Sequence, residues 1–297
     1  FQIAAILIGT ALTPIVYAAI GFGPMSVAYS LAFAAFMLWF AFSVREDENA
    51  RKAPPLPLKE AFRETLKNKP FWTFYIANSF AQTVNGLLAS MIPFYAKYAL
   101  KIPESQVAFV LASVFVSIIP LVAVWYFIVR KLGGLKSWRL ALAVYGLSVI
   151  PLWFAGGLWG GIAAGIAAGF GMAGVLVASA LLASRIVDLD AEKTGRRREG
   201  VYTAVAGFVT RSSGLISAVA FWLVGLAFGY VSGDEPGPHP ETTFRVLISI
   251  VPLCLLAVSF AVSMFMKEPG APAAPAGFDR RRRKEEEHGQ TIDSELR

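Results

Sequence analysis

Charge is scarce in this sequence. Only 16% of its 297 residues are charged and 56% are hydrophobic, whereas about 25% of the residues in a soluble domain are charged. The apolar residues form blocks of about 20 to 30 residues, which is the length of a membrane-spanning helix. Strands of a membrane barrel instead alternate in polarity over about ten residues. The sequence therefore predicts an all-α polytopic membrane protein.

Side chains that bind metals or perform catalysis are also scarce. Cys254 is the single cysteine and lies in an apolar block, which excludes a disulfide framework and a thiolate metal site. The two histidines, His239 and His288, lie far apart in hydrophilic segments. The sequence contains no GxSxG, HExxH or Walker motif. We therefore predict no enzymatic activity, no metal site, no cofactor and no nucleic-acid partner.

Carboxylates are missing from the apolar blocks. All 20 acidic residues lie outside these blocks, so the predicted spans contain no carboxylate for a sodium ion or a proton. A coupling cation, if one is used, is expected to bind outside this chain.

About eight spans are predicted, near residues 1–20, 25–44, 71–100, 107–129, 140–154, 157–183, 201–230 and 244–266. Residues 46–70 form a linker that ends either in a short amphipathic surface helix or in a solvated segment. Residues 71–267 hold six spans, and residues 268–297 are predicted to be a disordered tail. The chain begins at Phe1 inside an apolar block, so we expect it to be the later part of a longer protein.

Basic residues mark one side of the predicted membrane protein. Of the 27 lysines and arginines, 23 lie at one set of span ends. The opposite ends hold only Lys97, Lys101 and Arg245. Because short cytoplasmic loops are rich in lysine and arginine, we expect the linker, the charged loop after residue 183 and the C-terminus to be cytoplasmic.

Polar side chains concentrate in the predicted span at residues 71–100. One helical face carries them at spacings of three, four and three: Tyr75, Asn78, Gln82 and Asn85. Such a face is expected to line an aqueous cavity that hydrogen-bonds a hydroxylated solute, and the aromatic ring suits sugar faces. The alternative is hydrogen bonding between helices. A second pattern, Gly161, Gly165 and Gly169, predicts close helix packing.

Arg211 is the one basic residue predicted to lie deep in the membrane. It follows Gly200 by eleven residues, or about 16 Å along a helix, in a hydrocarbon core about 30 Å thick. A charge at this depth indicates a functional site.

The loop before this span is packed with charge. We predict that part of it forms a cytoplasmic gate, whose candidate residues are Asp188, Asp190, Lys193, Arg196, Arg198 and Glu199.

The run VDLDAEKTGRRREG at residues 187–200 resembles the cytoplasmic signature of the glycoside–pentoside–hexuronide:cation symporters. These are the melibiose-permease-like branch of the major facilitator superfamily. The run KNKPF at residues 67–71 is similar to the family's entry into helix seven. The resemblance implies a major facilitator bundle in which residues 1–45 are the last two helices of the N-terminal half and residues 71–267 are the C-terminal half.

The resemblance also implies roles for particular positions. The family's cation-binding aspartates lie on helices two and four, which this chain does not contain. Its helix-eleven lysine falls at Arg211, which departs from the pattern. We therefore expect a Na⁺- or H⁺-coupled symporter of a sugar, glycoside or hexuronide in a bacterial inner membrane, with lipid and the missing N-terminal helices as partners. A lysolipid symporter of the same superfamily and a non-transporting scaffold or sensor are the alternatives.

Overall fold

The computed structural model describes residues 13, 16, 19–43, 65, 67–194, 199–230 and 237–266. Their long elements are all helices, without a strand in the described part of the chain. We number them α1 Phe22–Ser43, α2 Lys69–Tyr98, α3 Glu104–Leu132, α4 Gly134–Ser148, α5 Pro151–Phe154, α6 Gly157–Thr194, α7 Glu199–Phe228, α8 Pro240–Arg245 and α9 Val251–Met264. A π-helical turn, Val246–Ile250, joins α8 to α9.

The predicted all-helical membrane fold is confirmed. Six segments of the described chain are long and apolar enough to cross a membrane: α1, α3, α4 with α5, most of α6, most of α7, and α8 with α9. The predicted span at 71–100 corresponds to α2, whose 30 residues are long enough to cross but carry many polar side chains. The first predicted span, the predicted surface helix and the tail lie mainly or wholly outside the described residues.

The helix predicted to end at residue 183 continues to Thr194. The prediction stopped where charged residues begin, but a helix that leaves the bilayer need not end there. Its apolar stripe also persists, since Leu182 and Ile186 are both buried at four-residue spacing. The charged stretch therefore begins as a helical extension and not as a loop.

One hydrophobic cluster joins the helices from α2 to α9. Helix α2 packs against α7 and α9, while α6 packs against α3 and α4. Large buried rings fill the space between them, among them Phe74, Trp125 and Trp138. Helix α1 contributes no residue to this cluster and exposes nearly all its side chains, Met25 excepted.

The glycine pattern in α6 is confirmed as a packing face. A Cβ atom on Gly169 would lie 2.6 Å from the carbonyl oxygen of Val114, on α3. A Cβ on Gly165 or Gly161 would likewise overlap Ser113 or Leu100. At Gly169 the backbone of α3 leaves no room for a side chain, and at the other two positions glycine makes room for neighbouring side chains.

Two arginines fasten opposite ends of the bundle. The Arg139 guanidinium, on α4, donates to the Ser263 carbonyl (2.9 Å) and the Met266 carbonyl (2.6 Å), which closes the C-terminus of α9. At the other end, Arg245 donates to the carbonyls of Trp153, Ala155 (3.0 Å) and Ala99 (3.3 Å). The basic loops around residues 130–139 therefore lie at the same end as Met266, and Arg245 lies at the opposite end.

Candidate functional site

Two of the four predicted polar residues of α2 belong to one hydrogen-bonded chain. The Asn85 amide nitrogen donates to Gln82 Oε1 at 2.9 Å, and the Tyr145 hydroxyl donates to Asn85 Oδ1 at 2.9 Å. Tyr145 is fully buried on α4, so the chain links two helices. The amide nitrogen of Gln82 can also donate, and it has no acceptor among the described residues.

Asn78 is buried, with only 6% of its surface exposed. Its Oδ1 has no hydrogen-bond partner among the described residues. An unsatisfied buried acceptor costs about 1–3 kcal/mol, so such a group calls for a partner such as water, an ion or a ligand. The Asn78 oxygen is therefore a buried acceptor on α2 that no described residue satisfies.

Tyr75 is half-buried among aromatic rings. Its ring centroid lies 4.6 Å from that of Phe71 and 4.9 Å from that of Phe74. Asn78, Gln82 and Asn85 present amide groups on this face of α2, whereas Tyr75 contributes mainly its aromatic ring.

Helix α7 is attached to α2 by hydroxyl groups. Ser79 donates to the Val209 carbonyl at 3.1 Å, and Thr83 donates to the Ser213 carbonyl at 3.3 Å. Nearer the helix ends, the Asn68 amide donates to the Tyr202 hydroxyl at 2.8 Å. These contacts fix the depth of Val209–Ser213 beside Ser79 and Thr83, which are the immediate neighbours of Asn78 and Gln82 in α2.

Arg211 lies within that attached segment but on the exposed side of α7. It shares this side with the exposed side chains Phe208 and Leu215. Among the described residues it has no hydrogen bond and no ion pair. A guanidinium at the depth of Asn78 and Gln82 thus points away from the bundle core, without a counter-charge from the described part of the chain.

The candidate gate is described only in part. Asp188 is exposed on α6, and Asp190 is half-buried and has a polar or electrostatic contact. Lys193 belongs to the last turn of α6 and Glu199 begins α7, but their side chains lie outside the described set. Arg196 and Arg198 lie outside the described residues altogether, so the gate remains a prediction.

Several site residues were missed by the sequence reasoning. Tyr145 could have been found from the sequence, because it is a polar-tipped residue in a predicted span, residues 140–154, with few other polar side chains. Ser79 and Thr83 were less visible, since hydroxyl side chains are common in membrane helices and usually bond to their own helix, as both also do here.

These features define a multi-pass helical membrane protein with polar groups inside its helical bundle. The family described as MFS/sugar transport protein matches residues 2–267, and the chain therefore belongs to this family of major facilitator superfamily transporters. Its class is a membrane transporter and not an enzyme. No curated protein matches the chain.

Proposed function

We propose that the protein is a secondary transporter that carries a sugar, glycoside or hexuronide together with Na⁺ or H⁺ by alternating access. The observation that supports this most is Arg211, which has no ion pair within the described part of the chain and is held at the depth of Asn78 and Gln82 by the hydroxyl contacts between α2 and α7. Transporters of this superfamily bind substrate near the midplane between two halves. The exposed side of α7 is where a second half of the protein would face this one.

The hydrogen-bonding groups of the candidate site favour an acidic solute. The guanidinium of Arg211 is a cation that offers only hydrogen-bond donors. Gln82 also offers a donor, since its oxygen accepts from Asn85 while its amide nitrogen has no acceptor among the residues that the structure describes. A carboxylate with adjacent hydroxyl groups satisfies such donors, and a planar guanidinium binds a carboxylate through two hydrogen bonds. A hexuronide combines both groups in one molecule.

Two other partners would satisfy Arg211: an aspartate of the N-terminal half of such a transporter, and water in a cavity. The resemblance to cation symporters favours the first, because their cation-binding aspartates lie on the N-terminal half. In that arrangement the coupling Na⁺ or H⁺ and the substrate compete for, or share, one charged site.

An amphiphile such as a lysolipid is the second candidate substrate. The observation in its favour is the apolar surface on both sides of Arg211, where Phe208 is 81% and Leu215 is 72% exposed. If the charged headgroup of a lysolipid contacts the guanidinium, its acyl chain can lie along this surface. The lipid would then cover both the guanidinium and the apolar side chains. The family assignment counts against the scaffold or sensor alternative.

Uptake assays on the full-length gene test this proposal. Radiolabelled glucuronide, a neutral methyl glycoside and a lysophospholipid are offered to energised vesicles, with and without an ionophore that collapses the cation gradient. We expect ionophore-sensitive accumulation of the glucuronide above that of the neutral sugar. Accumulation of only the lysophospholipid would favour the second candidate, and ionophore-insensitive accumulation would refute symport.

The orientation is proposed to place the basic ends and the C-terminus in the cytoplasm. Single cysteines at Glu104 and Lys136, made in a Cys254→Ser background, lie at opposite ends of the bundle. An impermeant thiol reagent applied to intact cells should label position 104 and spare position 136, which should react only after permeabilisation. Labelling of position 136 in intact cells would reverse the assignment.

The charged segment between α6 and α7 is proposed to gate access from the cytoplasm. Asp188 is exposed at the end of α6, where it can pair with a base in one state and release it in the other. Surface ion pairs are each worth about 0–1 kcal/mol, which is enough to bias two states of similar energy. Asp188→Asn should therefore change the maximal transport rate more than the substrate affinity. A fall in affinity at an unchanged maximal rate would contradict a gate.

Asn78 and Asn85 are expected to respond differently to replacement by leucine. Asn85→Leu removes an acceptor from the buried Tyr145 hydroxyl and should reduce the yield of folded protein. Asn78→Leu removes an amide oxygen that no described residue uses, so it should preserve folding while weakening substrate binding. Size-exclusion yield and binding per folded molecule separate the two effects. Normal binding by folded Asn78→Leu would remove Asn78 from the site.

A further inference from the structure

A groove between α3 and α6 has the composition of a binding site for a lipid. Its walls are four apolar side chains, Val129, Val177, Ala180 and Leu181. Its polar lining residues are Tyr126, Arg130 and Ser184. None of these residues belongs to the candidate transport site, and the groove does not depend on the function proposed above.

The polar residues lie at the depth of lipid headgroups. Arg130 follows Glu104, the first residue of α3, by 26 residues, and Ser184 follows Gly157, the first residue of α6, by 27. At 1.5 Å per residue both lie about 40 Å from the opposite end of the bundle. A bilayer measures about 30 Å across its hydrocarbon and about 40–45 Å with its headgroups. The groove therefore runs from the hydrocarbon edge into the headgroup layer.

Arg130 is available to bind an anion. Its guanidinium lies 5.8 Å from the centre of the Tyr126 ring, and it makes no ion pair with a described residue. The ring covers one face of the guanidinium and leaves its N–H groups at the edge free to donate. Ser184 donates to carbonyl oxygens of its own helix, so its hydroxyl oxygen can still accept a hydrogen bond.

Charged residues of both signs surround the groove. Lys131 is exposed beside Arg130, and Arg185 follows Ser184. The acids Asp188, Asp190 and Glu192 lie further along α6, beyond Ser184. The one charged residue that lines the groove itself is the base Arg130, which attracts an anionic headgroup more than a zwitterionic one.

We propose that this groove binds an anionic phospholipid, whose phosphate contacts Arg130 and whose acyl chain lies along Val177, Ala180 and Leu181. Basic residues between membrane helices at this depth are a recognised way to select anionic headgroups. The apolar walls account for the acyl chain, and the tyrosine at the interface is typical of residues that sit at the headgroup level.

Lipid binding by the purified full-length protein tests the proposal directly. Native mass spectrometry with phosphatidylglycerol and phosphatidylcholine gives the affinity for each lipid. Arg130→Gln should weaken phosphatidylglycerol binding about fivefold, as expected for one basic residue at the membrane surface, and should leave phosphatidylcholine binding unchanged. Arg130→Lys keeps the charge and should retain most of the affinity. Lys136→Gln is the matched control, because Lys136 is exposed at the same end of the bundle but does not line the groove.

A probe in the groove identifies its occupant. Leu181→Cys in a Cys254→Ser background carries a fluorophore, and brominated lipids quench it on contact. Brominated phosphatidylglycerol should quench more strongly than brominated phosphatidylcholine, and Arg130→Gln should remove the difference. The proposal fails if Arg130→Gln and Lys136→Gln have equal effects. It also fails if neither lipid quenches the probe, which would mean that another helix covers the groove.

Discussion

Arg211→Ala should reduce cation-coupled uptake at least about thirtyfold while leaving normal amounts of protein in the membrane. A guanidinium at this depth needs a partner or cavity water, and the described part of the chain supplies no ionic partner. We expect its partner to be an aspartate elsewhere in the transporter, an acidic group on the substrate or water. Removing one member of a desolvated charge pair costs about 2–5 kcal/mol, which sets the size of the expected loss. Folding is spared because Arg211 contributes no contact to the hydrophobic cluster.

Two variants show whether the charge or the surface matters. Arg211→Lys keeps the charge but loses the planar pair of donors, so it should retain part of the uptake. Leu215→Ala removes an exposed side chain from the same side of α7, one turn away, and should leave uptake close to that of the unmodified protein. Full activity of Arg211→Ala would exclude the residue from the transport site.

The positions of the helices were largely predictable because membrane spans need long apolar blocks, and these stand out in any sequence. Arg211 and Asn78 were predictable for the opposite reason, since a charge or an amide inside such a block is conspicuous. The hydrogen bond from Tyr145 to Asn85 could not be predicted from the sequence, because it depends on which helices become neighbours. The extension of α6 to Thr194 was missed because hydrophobicity reports where the membrane ends and not where a helix ends.

The choice between cavity and interhelical contact could not be made from the sequence, and the structure divides the residues between the two. Asn85 is used by the bundle, through Tyr145. The Asn78 oxygen is used by no described residue. Their spacing predicts that Asn78 and Asn85 share one face of α2. The neighbouring helix α4 provides a polar group, Tyr145, that reaches only Asn85.

Arg245→Ala should lower the free energy of unfolding by about 3 kcal/mol. A hydrogen bond to a charged group contributes about 1.5–3 kcal/mol, and the contributions of several bonds to one guanidinium do not add in full. Its side chain is only 16% exposed and donates to three carbonyls, those of Trp153, Ala155 and Ala99. These carbonyls terminate two other segments, so one guanidinium ties the end of α8 to the ends of α2 and α5. Thermal unfolding in detergent, followed by size exclusion, measures the loss.

The other charged residues at this end provide the controls. Lys101 pairs with Glu241 at 2.9 Å, but its side chain is 72% exposed, so Lys101→Ala should change the melting temperature little. Arg245→Lys preserves the charge next to Glu241 but cannot reach three carbonyls with one ammonium group, and should lie between Arg245→Ala and the unmodified protein. If Arg245→Lys is as stable as the unmodified protein, charge and not carbonyl capping holds this end together. If Arg245→Ala itself melts normally, the three carbonyl contacts contribute nothing and the helix ends are held by the aromatic packing of Phe94 and Tyr98 on Phe244.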